Sequence, residues 1–497
     1  MALDGVNLHT FIFTKLVEKQ FDDFVPPQLS DILNKPVKGV RVHHDPTLDI
    51  DVGTDDFEEA GLNPVGKWLV ERIHQLTPMS DPNVRYRSIA DAQDEMQAEF
   101  GKRMIREVDW KDPTSDDALV RLVTQGLGAH TLSRGDTPKT WVSDLSYVLD
   151  FRVRRGFLRY GAKLVIEEDG HGKLVPRSIS WARGTSEAGD ASWEKAKLAY
   201  RVTLAFVATV RDHAVGCHFL PANSLVIATR TQLDITHPIR RLLRAFQFRT
   251  PAINAGALVT LIPPRAIFSR LFALEWPELV RFYAHAKSYW RWRTPLEEVE
   301  LTGTRALGRH HPYSEDALDL YRHEHRFVTE YLDAIQMRER PSDDPALAAF
   351  HRELVRVLPK TAGVPPIDTR EQLADLLSVA MWTGTGWHEQ AGGAIADYLS
   401  RPDFVVPAMR DAEVFEDMLP SKQTMVQGVM LGILTNFNMP EIDSNLCAFV
   451  PKEAHPAVIR WLDQLTVLKR TIDERNRSRQ QPMHTFDPAN VEISVSI

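Results

Sequence analysis

Cysteine is nearly missing: Cys217 and Cys447 are the only two in 497 residues. That excludes a disulfide framework and fits a reducing compartment. No window approaches the uninterrupted apolar length of a membrane span. The opening MALDGVNLHTFIFTKLVEKQF lacks the charged lead, apolar core and small-residue cleavage site of a secretory signal. These absences lead to the expectation of a soluble, cytoplasmic protein with no membrane span. Charged residues make up 25%, evenly mixed, for a net charge of −8. Without a basic block, neither nucleic acid nor an anionic membrane surface is expected as the main partner. Also missing are the phosphate-loop G-x-x-x-x-G-K-[ST], a Rossmann glycine run, a G-x-S-x-G elbow and a C-x-x-C pair. No internal repeat stands out at periods of about 20–50 residues.

What is present is apolar sequence in helical rhythm. At 43% apolar the chain can bury a large core, and its length alone would allow two or three domains. Helical patterns run in series over 64–76, 88–108, 115–128, 310–335 (after a Ser314 cap), 343–357, from a Thr369 cap onward, 421–437 and 457–479. One β signal interrupts them. Residues 162–182 carry two alternating apolar runs around Asp169-Gly170-His171-Gly172, a hairpin with exposed His171 at its tip. Residues 1–55, punctuated by proline, glycine and aspartate, read as an extended lead-in with His43 and His44 in solvent. The fold class is mainly α, with one small hairpin.

The chain is organised around residues 190–246. Leu198, Val202, Ala205, Phe206 and Val210 recur there at helical spacing, followed by His213 and His218 five positions apart. On a regular α-helix that spacing puts the two rings on different faces. A helix widened into a π-type turn brings them closer to line. The pair is therefore either ordinary structure or two metal ligands on a distorted helix. His388 alone reads as a satisfied core histidine, and Ile497 as a frayed end, against which the apolar SVSI terminus argues. His323 and His325, two apart, share no helix face. Cys217 is a packing residue. Arg240, Arg241 and Arg244 would either hold a substrate carboxylate or form a solvated helix face.

Several phrases together resemble the lipoxygenase family: WEKAK (193–197), VIAT (226–229), THPIRRLLRAF (236–246), FRTPAINA (248–255), MWTGTGWHEQAGG (381–393) and the terminal SVSI. The resemblance runs from roughly residue 90 to the end, with the order of segments preserved. It implies a single lipoxygenase-like helical catalytic domain over 1–497, built around a long metal-binding helix, without the N-terminal β-sandwich lipid-binding domain of many members. It also implies one non-haem iron, with manganese as the alternative ion, held by His213, His218, His388 and the carboxylate of Ile497. Neutral imidazoles with a single carboxylate suit an ion cycling between Fe(II) and Fe(III). In such a centre a metal-bound hydroxide takes the hydrogen, and no further catalytic side chain is needed. His237, in the HPI phrase, is structural.

The sequence also departs from the family. A gapless count from WEKAK places Ala208 at the first ligand, His213 at the second and His218 on a histidine that is not a ligand; a count back from VIAT agrees within one residue. Either the helix is shortened and the pair keeps its metal role, or one ligand is lost. Gly392 stands where the family has asparagine, histidine or serine as a further ligand, leaving a position for water. Pro264 falls at or near the small residue that sets where oxygen attacks, and with Arg241 it is assigned to the substrate pocket. GGAIADYL replaces an Asn-Phe-Gly-Gln run. The expected activity is that of an iron dioxygenase, taking hydrogen from a weak C–H bond and adding O₂ to form a polyunsaturated fatty acid hydroperoxide. The alternatives are a related metal oxygenase acting on a non-lipid metabolite, and a helical binding module with no catalysis.

Overall fold

Alternation of buried and part-exposed residues in Ala162–Glu168 and Leu174–Trp181 gives two antiparallel strands, as the sequence pattern requires. The Asp169 carboxylate closes their turn by accepting the backbone N–H of His171 (2.8 Å) and Lys173 (2.9 Å), while Gly172 supplies the left-handed residue. The hairpin is not alone. With β3 (Leu132–Arg134), β4 (Thr140–Asp144), β5 (Ala162–Glu168), β6 (Leu174–Trp181) and β7 (Gly184–Glu187) it forms a five-stranded antiparallel sheet in chain order. The additional strands are too short to declare themselves by periodicity. A smaller sheet pairs β1 (Val40–Asp45) with β2 (Ile50–Asp55).

The computed structural model describes residues 5–22, 28–30, 39–55, 72–79, 83–103, 112–435 and 442–495. Among these, the expectation of an extended lead-in over 1–55 is corrected. Leu8–Asp22 is a helix, and β1 and β2 make a hairpin in which His43 and His44 are indeed exposed. The helix expected over 64–76 lies largely outside the described residues, as does the end of that expected over 88–108, of which Ile89–Phe100 is seen. Pro345–Val357, Arg370–Gly384, Lys422–Leu434 and His455–Ser478 fall close to expectation, whereas the helix expected over 115–128 stops at Leu122 as Asp116–Leu122. Thr369 caps its helix in a reciprocal box with Gln372. Helix Pro312–Ala334 begins earlier than expected, and His311 rather than Ser314 is its cap.

A continuous helix from Trp193 to Gln232 runs through the core. It is α over Trp193–Val207, π over Ala208–Ala222 and α again over Asn223–Gln232. Almost every side chain along it is buried, as expected of a helix surrounded by other elements. Its charged residues survive burial because they are paired. Lys197 donates to Thr114 O (2.7 Å) and Asp116 (3.1 Å), and Arg211 donates to Asp212 (2.6 Å), which also meets His130 Nε2 at 3.0 Å. Asn223 fastens the small sheet to this helix, accepting the Gly53 N–H (2.9 Å) and donating to Asp51 O (2.8 Å). No helix among the described residues is long and apolar enough to cross a membrane.

Helix Pro312–Ala334 packs against Arg370–Gly384 and His455–Ser478. At the first of these contacts Glu324 is fully buried and accepts a hydrogen bond from the Thr385 hydroxyl at 2.6 Å. Burial raises its pKa from an ordinary 4.5 to about 8, against the opposing pull of that hydrogen bond. The folded chain therefore keeps a proton there that the unfolded chain releases above 4.5, so Glu324 lowers stability progressively as pH rises towards 8. By pH 7 this amounts to roughly 3 kcal/mol at most. Glu324→Gln, neutral at every pH, should gain stability over the parent by an amount that grows from pH 5 to pH 8. Denaturant unfolding across that range checks it, and a constant difference would contradict it.

Candidate metal centre

The two histidines of the central helix meet because its backbone is wound in i→i+5 register. On that ladder residues five apart lie on one stripe, so His213 and His218 face the same side. Their Nε2 atoms are 3.0 Å apart, and His388 Nε2 lies 3.4 Å from that of His213. Two nitrogens each bonded to one ion at about 2.1 Å would be about 3.0 Å apart at a right angle and about 3.4 Å apart at a tetrahedral one. The separations match a single cation held on three ring nitrogens. Among the described residues these histidines form the one group of three or more potential metal-ligating side chains, all of them buried.

Polar groups behind two of the rings favour one nitrogen facing inward. His218 Nδ1 meets Asn254 Oδ1 at 3.1 Å, and the same amide donates to His218 O at 3.1 Å, so one side chain holds both ring and backbone. His388 Nδ1 is 3.1 Å from a carboxylate oxygen of Glu492. Protons on these Nδ1 atoms leave both Nε2 lone pairs free for a cation. Burial, with the neighbouring His218 and His388, holds the His213 pKa well below its usual value and keeps that ring neutral, the form that binds metal.

Each residue assigned from sequence now has a place. Ala208 is buried at the start of the π segment, one ladder turn before His213. His213 and His218 converge with His388, so the shortened-helix alternative is the one the geometry favours. Gly392 lies in a second π segment, Glu389–Gly393, directly after His388. A Cβ built on it would sit 2.7 Å from His213 Nε2, so bare backbone is what lets the ring stand there. Gln390 turns away to donate to Gly126 O at 3.0 Å. Ile497 lies outside the described residues, but the chain leading towards it is fixed. Val491 to Val495 are all buried, Ser494 donates to Phe248 O (3.1 Å), and Val495 O accepts from Thr250 (3.0 Å).

The two residues assigned to a substrate pocket have these surroundings. Arg241 is spent on the backbone carbonyls of Phe449 and Val450, both at 2.8 Å, and Pro264 stands on an exposed turn. A cavity of about 440 Å³ lies instead on the other side of the π segment, lined by Arg211, Asp212, Gly216 and Trp387 among others, and by none of the three histidines. Sequence reasoning missed Asn254 and Glu492 as ligand supports. Asn254 was inside a phrase already singled out. Glu492 was signalled as the lone acid of an apolar tail.

Gly392→Ala should displace the His213 ring and lower metal occupancy without unfolding the chain. Metal analysis beside circular dichroism tests this; full occupancy in the variant would refute the close-approach argument.

A family model described as Lipoxygenase matches residues 174–394, a span that includes all three histidines. A manganese lipoxygenase from Colletotrichum gloeosporioides is 23% identical over 385 residues, 71% of this chain and 60% of its own length. A human polyunsaturated fatty acid lipoxygenase is 24% identical over 57% of this chain and 45% of its own length. The chain thus spans about half the length of these curated relatives. In fold, a calcium-dependent 11R-lipoxygenase matches 97% of the chain and 81% of its own at a TM-score of 0.77 and 16% identity. A Fusarium graminearum lipoxygenase matches 97% of the chain and 88% of its own at 0.75 and 13%. A lipoxygenase family model thus spans the histidine-bearing helices, and the fold is shared with lipoxygenase structures along nearly the whole chain.

Proposed function

We propose that this protein is a metal-dependent dioxygenase that adds O₂ to an unsaturated lipid, with a polyunsaturated fatty acid as the substrate and a hydroperoxide as the product. The observation that carries the reading is the convergence of three buried imidazoles, with His213 Nε2 3.0 Å from His218 Nε2 and 3.4 Å from His388 Nε2. His213, His218 and His388 are the proposed ligands of the ion, with the carboxylate of Ile497 as the proposed fourth. A redox-active iron bound there supplies the one-electron chemistry that a weak allylic C–H bond requires, and manganese is the alternative ion. The chain's own part is positional. Asn254 and Glu492 orient rings, and Gly392 keeps a side chain from crowding His213. Dense aliphatic and aromatic packing around the histidines excludes bulk water.

The substrate class rests on kinship. One relative by name acts on polyunsaturated fatty acids, and a lipoxygenase with a short deletion, similar in fold at a TM-score of 0.79 and 14% identity, was crystallised with arachidonate. That kinship puts lipid substrates ahead of a non-lipid metabolite and of a scaffold without catalysis.

Elemental analysis should find about one iron or manganese per chain, lost in His213→Ala and His388→Ala. Stripping the metal should cost about 4 kcal/mol of stability where free metal stands about 1,000-fold above its dissociation constant. Oxygen uptake and conjugated-diene absorbance with linoleate and arachidonate then test the substrate. Bound metal without diene from either acid would exclude these two substrates, and a chain that binds no metal would end the enzyme reading altogether.

A further inference from the structure

The three imidazoles are not supported alike. Behind His218 stands the neutral amide of Asn254, whereas behind His388 stands a carboxylate, Glu492, at 3.1 Å. Glu492 is 4% exposed, in a tail whose neighbours Val491, Ile493, Ser494 and Val495 are between 0% and 1% exposed. Burying a carboxylate so deeply is costly unless a charge or strong donors answer it. An imidazole that ligates through Nε2 must be neutral, so His388 offers Glu492 an N–H rather than a full positive charge. A cation held at Nε2 would supply the positive charge from the far side of the ring.

We infer that Glu492 is a positioning and charge-donating residue of the metal centre, forming a carboxylate–histidine–metal relay through His388. The inference rests on the metal-binding reading above. The Glu492 carboxylate, 3.1 Å from Nδ1, favours the Nδ1-protonated ring with Nε2 inward and makes it the most basic of the three ligands. A more basic ligand stabilises the higher oxidation state of the ion, and the negative charge raises affinity for a cation. Since Glu492 sits on the segment that leads towards Ile497, the same contact couples docking of the tail to filling of the site. His388 and Glu492 are distant in sequence, so cation binding would tighten a long-range closure of the chain.

The test compares the full chain with Glu492→Gln, which keeps shape and hydrogen-bonding capacity but removes the charge, and with Glu492→Asp, which keeps the charge. Three quantities are read: thermal unfolding of the stripped protein, the Fe(II) dissociation constant by chelator competition, and the Fe(III)/Fe(II) midpoint potential. The inference expects the Gln variant to bind Fe(II) about 10- to 100-fold more weakly, with a more positive potential and a stripped form that unfolds close to the parent. The Asp variant should recover part of both the affinity and the potential. Unchanged affinity and potential in the Gln variant, or losses that track only the unfolding temperature and are equal in both variants, would overturn it. If the parent chain itself takes up no metal, it is the proposed function that falls, whereas a metal-binding parent matched by its Gln variant removes only the role of Glu492.

Discussion

The i→i+5 backbone ladder over Ala208–Ala222 is the constraint on which the rest of this structure depends. Regular α winding would rotate His218 away from His213 by more than a third of a turn, and no repacking of side chains could bring both rings to one ion. π winding is rare and intrinsically less favourable than α, and it persists only where surroundings hold it. Here the surroundings do. Asn254 ties the backbone carbonyl of His218, Asn223 ties the far end to β2, and the Arg211–Asp212–His130 group braces the side away from the histidines. Pro221, which has no N–H to give, sits inside the segment where an α ladder would lose a bond.

The same feature explains which part of the site was legible in the sequence. A gapless count put Ala208 on the first ligand and His213 on the second, a displacement of five residues. On an i→i+5 ladder residues five apart point to nearly the same side, so the two registers present nearly the same face. Sequence counting cannot separate alternatives so close in facing. The helix from Thr369 was readable because its cap sets its boundary, and that around 312–334 because of its long apolar stripe, although its His311 cap was missed. Helix Leu8–Asp22 was not, since the proline and glycine that follow it dominated the reading of the whole lead-in. The surroundings of Arg241 were illegible for another reason. An arginine's partner can be a backbone carbonyl more than two hundred residues away, as with Phe449, and composition carries no trace of that.

Polar groups around the centre follow one logic. Each buried donor or acceptor that touches the histidines also anchors something else. Asn254 holds a ring and a carbonyl, Glu492 a ring and the tail on which it sits, and Gly392 concedes the space that His213 occupies. Such double duty makes the centre rigid, because displacing any one group leaves another unsatisfied in a dry interior. The cavity beside Trp387 is lined by none of the three histidines.

The sequence distance between the converging groups has a kinetic meaning. His213 and His388 are 175 residues apart, and Ser494 meets Phe248 across 246. Loops of that size close slowly, whereas single helices form almost at once. The helical scaffold can therefore assemble before the pocket does, leaving the place where the imidazoles gather among the last regions to consolidate during folding.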